Sequence, residues 1–254
     1  MLVPLGDDNR DRRTTPYVTW LFIAINVLVF VFLQGFGGDA EFTYAFSTVP
    51  EEIVTGRDVV TQDEVVMDSA TGARYRRPGL QPTPIPVYLT IITAMFMHGG
   101  LAHILGNMLF LFIFGDNIED RVGHGRFVVF YLLCGVIASL VHVFATVAAD
   151  GNMLIPSLGA SGAISGVLGA YLLLFPRNRV LVLMFRILMR VPAIVAIGIW
   201  FLFQLLNGLG ALGSQTGGVA YGAHIGGFIS GLALVTLFDR GPRGRGTMYR
   251  RRRR

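Results

Sequence analysis

Lysine is absent from this chain: all 21 of its Lys/Arg positions are arginine. Only 15% of its 254 residues are charged, against 53% that are hydrophobic, and the mean hydropathy is +0.59. A typical soluble domain carries about 25% charged residues, so this scarcity excludes one. Cysteine occurs once, as Cys134 inside an apolar run, which rules out an intramolecular disulfide and makes the thiol a small packing residue. The histidines fall in no metal-ligand pattern: His98 and His103 are five apart rather than i, i+4, and no HExxH or carboxylate set accompanies them. No metal and no cofactor are expected.

What the chain has instead is long apolar runs. Crossing about 30 Å of hydrocarbon takes about 20 apolar residues at about 1.5 Å each. The runs predict six spans, at about 17–34, 101–114, 127–149, 161–175, 191–209 and 219–238. The fold class expected is an all-α polytopic membrane protein. Residues 1–16 form a polar N-terminal segment, 17–238 the six-helix membrane domain and 239–254 an Arg-rich tail. No small-residue cleavage site follows the first run, so it reads as a retained anchor. Between spans 1 and 2 lies an insertion at 35–86, too polar to cross the bilayer and expected as an extramembrane loop. The apolar stretch 87–97 is too short to span and reads as re-entrant or interfacial, as does 180–189, interrupted by Arg186.

Arginines set the expected orientation. They occur before span 1, between spans 2 and 3 (Arg121, Arg126), between spans 4 and 5 (Arg177, Arg179, Arg186, Arg190) and in the tail, whereas 150–160 and 210–218 have none. The positive-inside bias then puts both termini in the cytoplasm of a multi-pass protein. Spans 2, 4 and 6 all run inward, and His103, Ser161 and His224 lie within about two turns of their starts, at similar depth.

Ser161 opens span 4 within a glycine-rich stretch. Gly159, Gly162 and Gly166 recur at three- and four-residue spacing and predict a smooth stripe for close packing. The partner is span 6, where His224, Gly227 and Gly231 share a face. A serine hydroxyl needs a base to become a nucleophile, and His224 is the base this packing would bring to Ser161. No carboxylate lies in span 4, or in span 6 before Asp239, so a dyad rather than a triad is expected. His103 and Asn107, at i and i+4 on span 2, together with the backbone N–H groups of Ser161 and Gly162 at a helix start, could stabilise an oxyanion. The reaction class is acyl transfer to water.

These residues resemble the rhomboid intramembrane serine proteases. Gly159-Ala160-Ser161-Gly162 matches the GxSG nucleophile motif, His103-xxx-Asn107 the HxxxN oxyanion motif, and Ala223-His224-Ile225-Gly226-Gly227-xxx-Gly231 the AHxxGxxxG base motif. The resemblance implies a six-helix rhomboid-like bundle with a partly membrane-embedded first loop. It implies Ser161 as nucleophile, His224 as base and His103 with Asn107 as oxyanion donors, acting on a transmembrane-segment substrate that enters sideways. It suggests a bacterial plasma membrane. Two departures stand out. Ser165 occupies the position four after the nucleophile where some members carry an aromatic residue against the histidine, and Leu89-Thr90 replaces a Trp-Arg pair of the first loop.

Blander readings stand beside these. A lone serine on a membrane helix is most often a packing residue; the coincidence of depth with His224, His103 and Asn107 favours catalysis. His98 reads as a loop histidine hydrogen-bonded near the pocket, His142 as packed or pore-facing, and His124 as part of a turn. Glu119 and Arg121 read as a structural polar cluster or as solvated. The arginine tail fits attraction to anionic lipid better than nucleic acid. A rhomboid-like protein that binds transmembrane clients without cutting them is the alternative function; a solute channel lacks an internal repeat or charged pathway.

Overall fold

The computed structural model describes residues 2–67, 72, 74–211 and 220–241. In chain order, β1 (Leu2–Gly6) leads to α1 (Tyr17–Leu28), which widens into a π-helical turn at Val29–Leu33. The insertion folds into two short helices, α2 (Ala40–Ala45) and α3 (Pro50–Thr55), and a hairpin of β2 (Glu64–Met67) with β3 (Arg74–Arg77). A broken helix over 87–96, with α4 (Thr90–Thr93) at its centre, precedes α5 (Leu101–Val122) and α6 (His124–Ala148). Then come α7 (Ser161–Leu174), β4 (Arg179–Met184), β5 (Ile187–Pro192), α8 (Ala193–Ala211) and α9 (Tyr221–Phe238). The result is a polytopic helical bundle. α5, α6 and α9 are long and apolar enough to cross a membrane, and Tyr17–Leu33, Ser161–Leu174 and Ala193–Gly208 are shorter apolar helices. Phe32, Phe112, Phe144, Phe203 and Leu237 are exposed, as lipid-facing side chains of an integral membrane protein are.

α7 is the central post: every residue from Gly162 to Tyr171 is buried. It lies so close to α9 that side chains have no room between them. A Cβ on Gly231 would stand 1.9 Å from Gly166 O, one on Gly227 2.1 Å from Gly162 O, and one on Gly169 2.2 Å from Phe228 O. On its other side Gly166 faces Cys134, whose Cβ would be 2.5 Å from an added Cβ. Gly162, Gly166, Gly227 and Gly231 therefore form the expected stripe. Gly159 does not: it precedes the helix, in the left-handed region at φ +125°, because the chain must turn there to present Ser161.

Two further departures have physical causes. α5 runs two turns beyond the expected end at Phe114, since the polar residues in its last two turns, Asp116, Asn117, Glu119, Asp120 and Arg121, are bound. Glu119, fully buried, accepts from Val18 N (2.9 Å), Thr19 N (2.7 Å) and Thr19 Oγ1 (2.6 Å), and it also bonds His124 Nδ1. Asp120 accepts from Thr14 N and Oγ1, Asp116 pairs with Arg12, and Arg121 pairs with Asp239. Polar groups that close one another into helix contacts can stay in an apolar bundle.

The segment 180–189, expected only as a short apolar stretch at the interface, folds as a hairpin. Met184 pairs with Ile187 across a two-residue turn, Phe185-Arg186, with both φ positive, as tight hairpins prefer. β1 adds to β4 as a third strand, Leu2 opposite Met184. This draws in Asp7, whose Oδ2 accepts from Tyr171 OH (2.6 Å) and Asn117 Nδ2 (2.7 Å). Residues 242–254, which hold most of the arginine tail, lie outside the described residues, as do 212–219.

Candidate active site

The turn before α7 is held from two sides. Ser157 and Thr48 exchange backbone hydrogen bonds (3.0 and 2.8 Å), and Gly159 N donates to Ala94 O (2.8 Å). Ala160 is the N-cap and the first intrahelical bond is Ile164 N to Ala160 O (3.0 Å). The N–H groups of Ser161, Gly162 and Ala163 are the donors that any α-helix leaves free at its start. A Cβ on Gly159 would lie 2.9 Å from His103 Nε2 and 3.7 Å from Ser161 Oγ, so that ring edge and the hydroxyl flank one small space.

His224 sits in the first turn of α9. Its Nδ1 is 2.7 Å from Gln204 Oε1 on α8, and its ring centroid is 6.1 Å from that of Trp200 and 6.5 Å from that of Tyr221. With the carboxamide oxygen as acceptor, Nδ1 carries the hydrogen and Nε2 keeps its lone pair. Trp200 and Gln204 are i and i+4, hence neighbours on one face of α8. Sequence reasoning missed both. The available signal was Gln204 itself, a polar residue inside an apolar span. Ser165 gives the His224 ring no hydrogen bond; its Oγ donates to Ser161 O (2.6 Å) instead.

On α5, His103 Nδ1 accepts from Gly99 N (3.3 Å), which leaves Nε2 as its donor. Asn107 is buried, and among the described residues its Nδ2 has no hydrogen-bond partner. His103, Asn107, Ser161, Trp200 and His224 all line one cavity of about 1010 Å³. Among the described residues no hydrogen bond joins Ser161 Oγ to the His224 ring, whose bond goes to Gln204.

The other histidines separate. His142 lines the same cavity, opposite Gly222, where an added Cβ would be 3.6 Å from His142 Nδ1. His124 bonds Glu119 at the α5–α6 turn. His98 is fully buried against His103, ring centroids 5.1 Å apart, but among the described residues neither of its ring nitrogens has a partner; its backbone is what is bound. Among the described residues no three His, Cys, Asp or Glu side chains group as metal ligands do. A hydroxyl, a hydrogen-bonded imidazole and free donors around one cavity are parts that acyl transfer requires.

A family model described as the rhomboid domain matches residues 86–240. The chain is 30% identical over 219 residues to the rhomboid protease GluP of Bacillus subtilis, covering 85% of this chain and 34% of that protein. It is 32% identical over 155 residues to the mitochondrial rhomboid protein 1 of Saccharomyces cerevisiae, covering 60% of this chain and 42% of the relative. It is 30% identical over 180 residues to the human mitochondrial presenilin-associated rhomboid-like protein, covering 64% and 44%. The chain thus spans less than half the length of each of these relatives.

Proposed function

The chain belongs to the rhomboid family, and from that premise we propose that it is an intramembrane serine endopeptidase cleaving peptide bonds in or near the transmembrane segments of other proteins. The observation that carries this is the single cavity shared by Ser161, His224, His103 and Asn107. A protease named as such among its relatives adds support.

In the proposed reaction His224 Nε2 takes the proton from Ser161 Oγ as that oxygen attacks the scissile carbonyl carbon. Charge moves to the carbonyl oxygen, where His103 Nε2–H, Asn107 Nδ2–H and the N–H groups of Ser161 and Gly162 donate. The C–N bond then breaks, the imidazolium proton passes to the leaving amine, and an acyl-enzyme remains on Ser161. Water repeats the sequence with His224 as base and restores the serine. Gln204 orients the imidazole as a neutral partner, in the position a carboxylate takes in a triad. The residues need no cofactor for these steps.

Depth supports a membrane-embedded substrate. α7 has 14 residues, about 21 Å, roughly 9 Å short of the hydrocarbon thickness. With its far end at one membrane face, Ser161 lies below the other. A helical substrate has its carbonyls enclosed by its own turns, so it must unwind locally before Ser161 can reach one. We further propose a bacterial plasma membrane, both termini cytoplasmic and the cavity opening outward; the arginine distribution supports the orientation.

The missing Ser161–His224 hydrogen bond favours a second reading, a rhomboid-like protein that binds transmembrane clients without cutting them. The test is cleavage of a model transmembrane substrate by purified protein in liposomes with chelator present, beside Ser161→Ala and His224→Ala. Cleavage by wild type alone is the expected result. Full activity in either variant, or folded wild-type protein inert toward several substrates, would overturn the protease assignment.

A further inference from the structure

Gln34 ends the first span, just after the π-helical turn, with its side chain fully buried. Its carboxamide binds both ends of one residue: Oε1 accepts from His98 N (2.9 Å) and Nε2 donates to His98 O (3.0 Å). The second Nε2 hydrogen goes to Thr43 Oγ1 (3.0 Å), which itself donates to Asp39 O (2.6 Å). These partners admit one orientation, since exchanging O and N would set donor against donor at His98 N.

The peptide group so held is shared with the next residue. His98 O and Gly99 N–H belong to one planar trans unit, pointing opposite ways. Fixing the carbonyl with Gln34 therefore fixes the direction of the Gly99 N–H, and that N–H donates to His103 Nδ1 (3.3 Å). His98 lies in irregular backbone between α4 and α5, with neither ladder nor helix to orient its peptide, and its ring nitrogens have no partner among the described residues. The chain of contacts Thr43, Gln34, His98–Gly99 peptide, His103 ends at the ring edge beside Ser161.

We propose that Gln34 is a positioning residue that acts through His103: it holds the ring in place and keeps the proton on Nε2, so that the ring donates to the oxyanion. This rests on the protease reading for its kinetic consequence, though not for its geometry.

The experiment uses the full chain. In histidine-labelled protein, nitrogen NMR of wild type should show His103, assigned by loss of its signal in His103→Ala, protonated on Nε2. Gln34→Met should populate the Nδ1–H form. In cleavage assays Gln34→Met should lower kcat roughly tenfold, less than the ~10²-fold that losing a whole oxyanion donor costs, with KM within about twofold. In a His103→Ala background the same change should cost less than about twofold, as expected for residues acting as one unit. Gln34→Glu, which as a neutral acid keeps both contacts to His98, should recover most of the activity. A wild-type His103 protonated on Nδ1, an unaltered tautomer in Gln34→Met, or an equal penalty with and without His103 would overturn the proposal. Should Gln34→Met fail to fold, Gln34→Asn, one methylene too short to span the peptide, carries the same measurements. If no form cleaves any substrate the protease reading fails, and the tautomer still decides the role of Gln34.

Discussion

Nδ1 of His224 lies 2.7 Å from Oε1 of Gln204, across the contact of α9 with α8. In the proposed reaction the base, His224, is thus oriented from a helix other than the one that carries Ser161. Trp200, one turn earlier on α8, has its ring centroid 6.1 Å from that of the imidazole. The side chains nearest the His224 ring here come from α8, and Ser165 on α7 donates instead to the carbonyl of Ser161.

Gln204→Leu removes the acceptor and keeps the volume. Partners that orient a functional histidine are worth about 10- to 100-fold when lost, so kcat should fall by that factor with KM little changed. Steady-state cleavage in liposomes checks this, and unchanged kcat would remove Gln204 from the site.

Asn107→Ala should separate activity from stability. Its Nδ2 has no partner among the described residues, so truncation orphans none of them through that atom. Catalysis should drop by about 10²-fold or more while the melting temperature in detergent stays within a few degrees. A large fall in melting temperature would instead make Asn107 a packing residue.

Gly231→Ala sets a methyl against the Gly166 carbonyl, 1.9 Å from its oxygen before any shift. Overpacking of this kind costs about 1–3 kcal/mol, and here it must push α9 from α7 and disturb the Ser161–His224 geometry. Gly198→Ala on α8 meets nothing within 4 Å and should be neutral or slightly stabilising. Thermal unfolding of both variants tests the contrast.

Asp7 predicts a pH dependence of stability. Burial, with Asp116 and Asp8 nearby, pushes its carboxyl from 3.8 up to about 7, against the lowering effect of bonds from Tyr171 and Asn117. The folded state therefore holds a proton that the unfolded state releases. Its contribution to stability is complete below about pH 4 and declines as the pH rises to about 7. Asp7→Asn should flatten that part of the melting-temperature profile. An equal slope in wild type and variant would assign the dependence elsewhere.

The membrane class, the order of the apolar runs and the glycine stripe were all legible in one dimension. Each depends on composition or on a local period: hydropathy over about 20 residues, or small residues at i, i+3 and i+4. Ser161, His224, His103 and Asn107 could be singled out because they are polar groups in apolar runs at matching distances from the run starts. The length of α5 was not legible, because 115–121 looks like a loop until Val18, Thr19, Thr14 and Arg12 close its carboxylates. Nor was the sheet, whose third strand is β1, far away in sequence.

The sequence by itself determined that this chain lives in a membrane, which helices pack through glycine, and which polar side chains fall at similar distances from the starts of their apolar runs. Those properties are set by residue type and spacing along a helix. Tertiary structure alone decided that Gln204 rather than a carboxylate faces His224, that Gly159 turns the chain instead of packing a helix, and that Gln34 reaches across 64 positions to His98. A hydrogen bond between distant segments depends on orientation in three dimensions, and no local period records it.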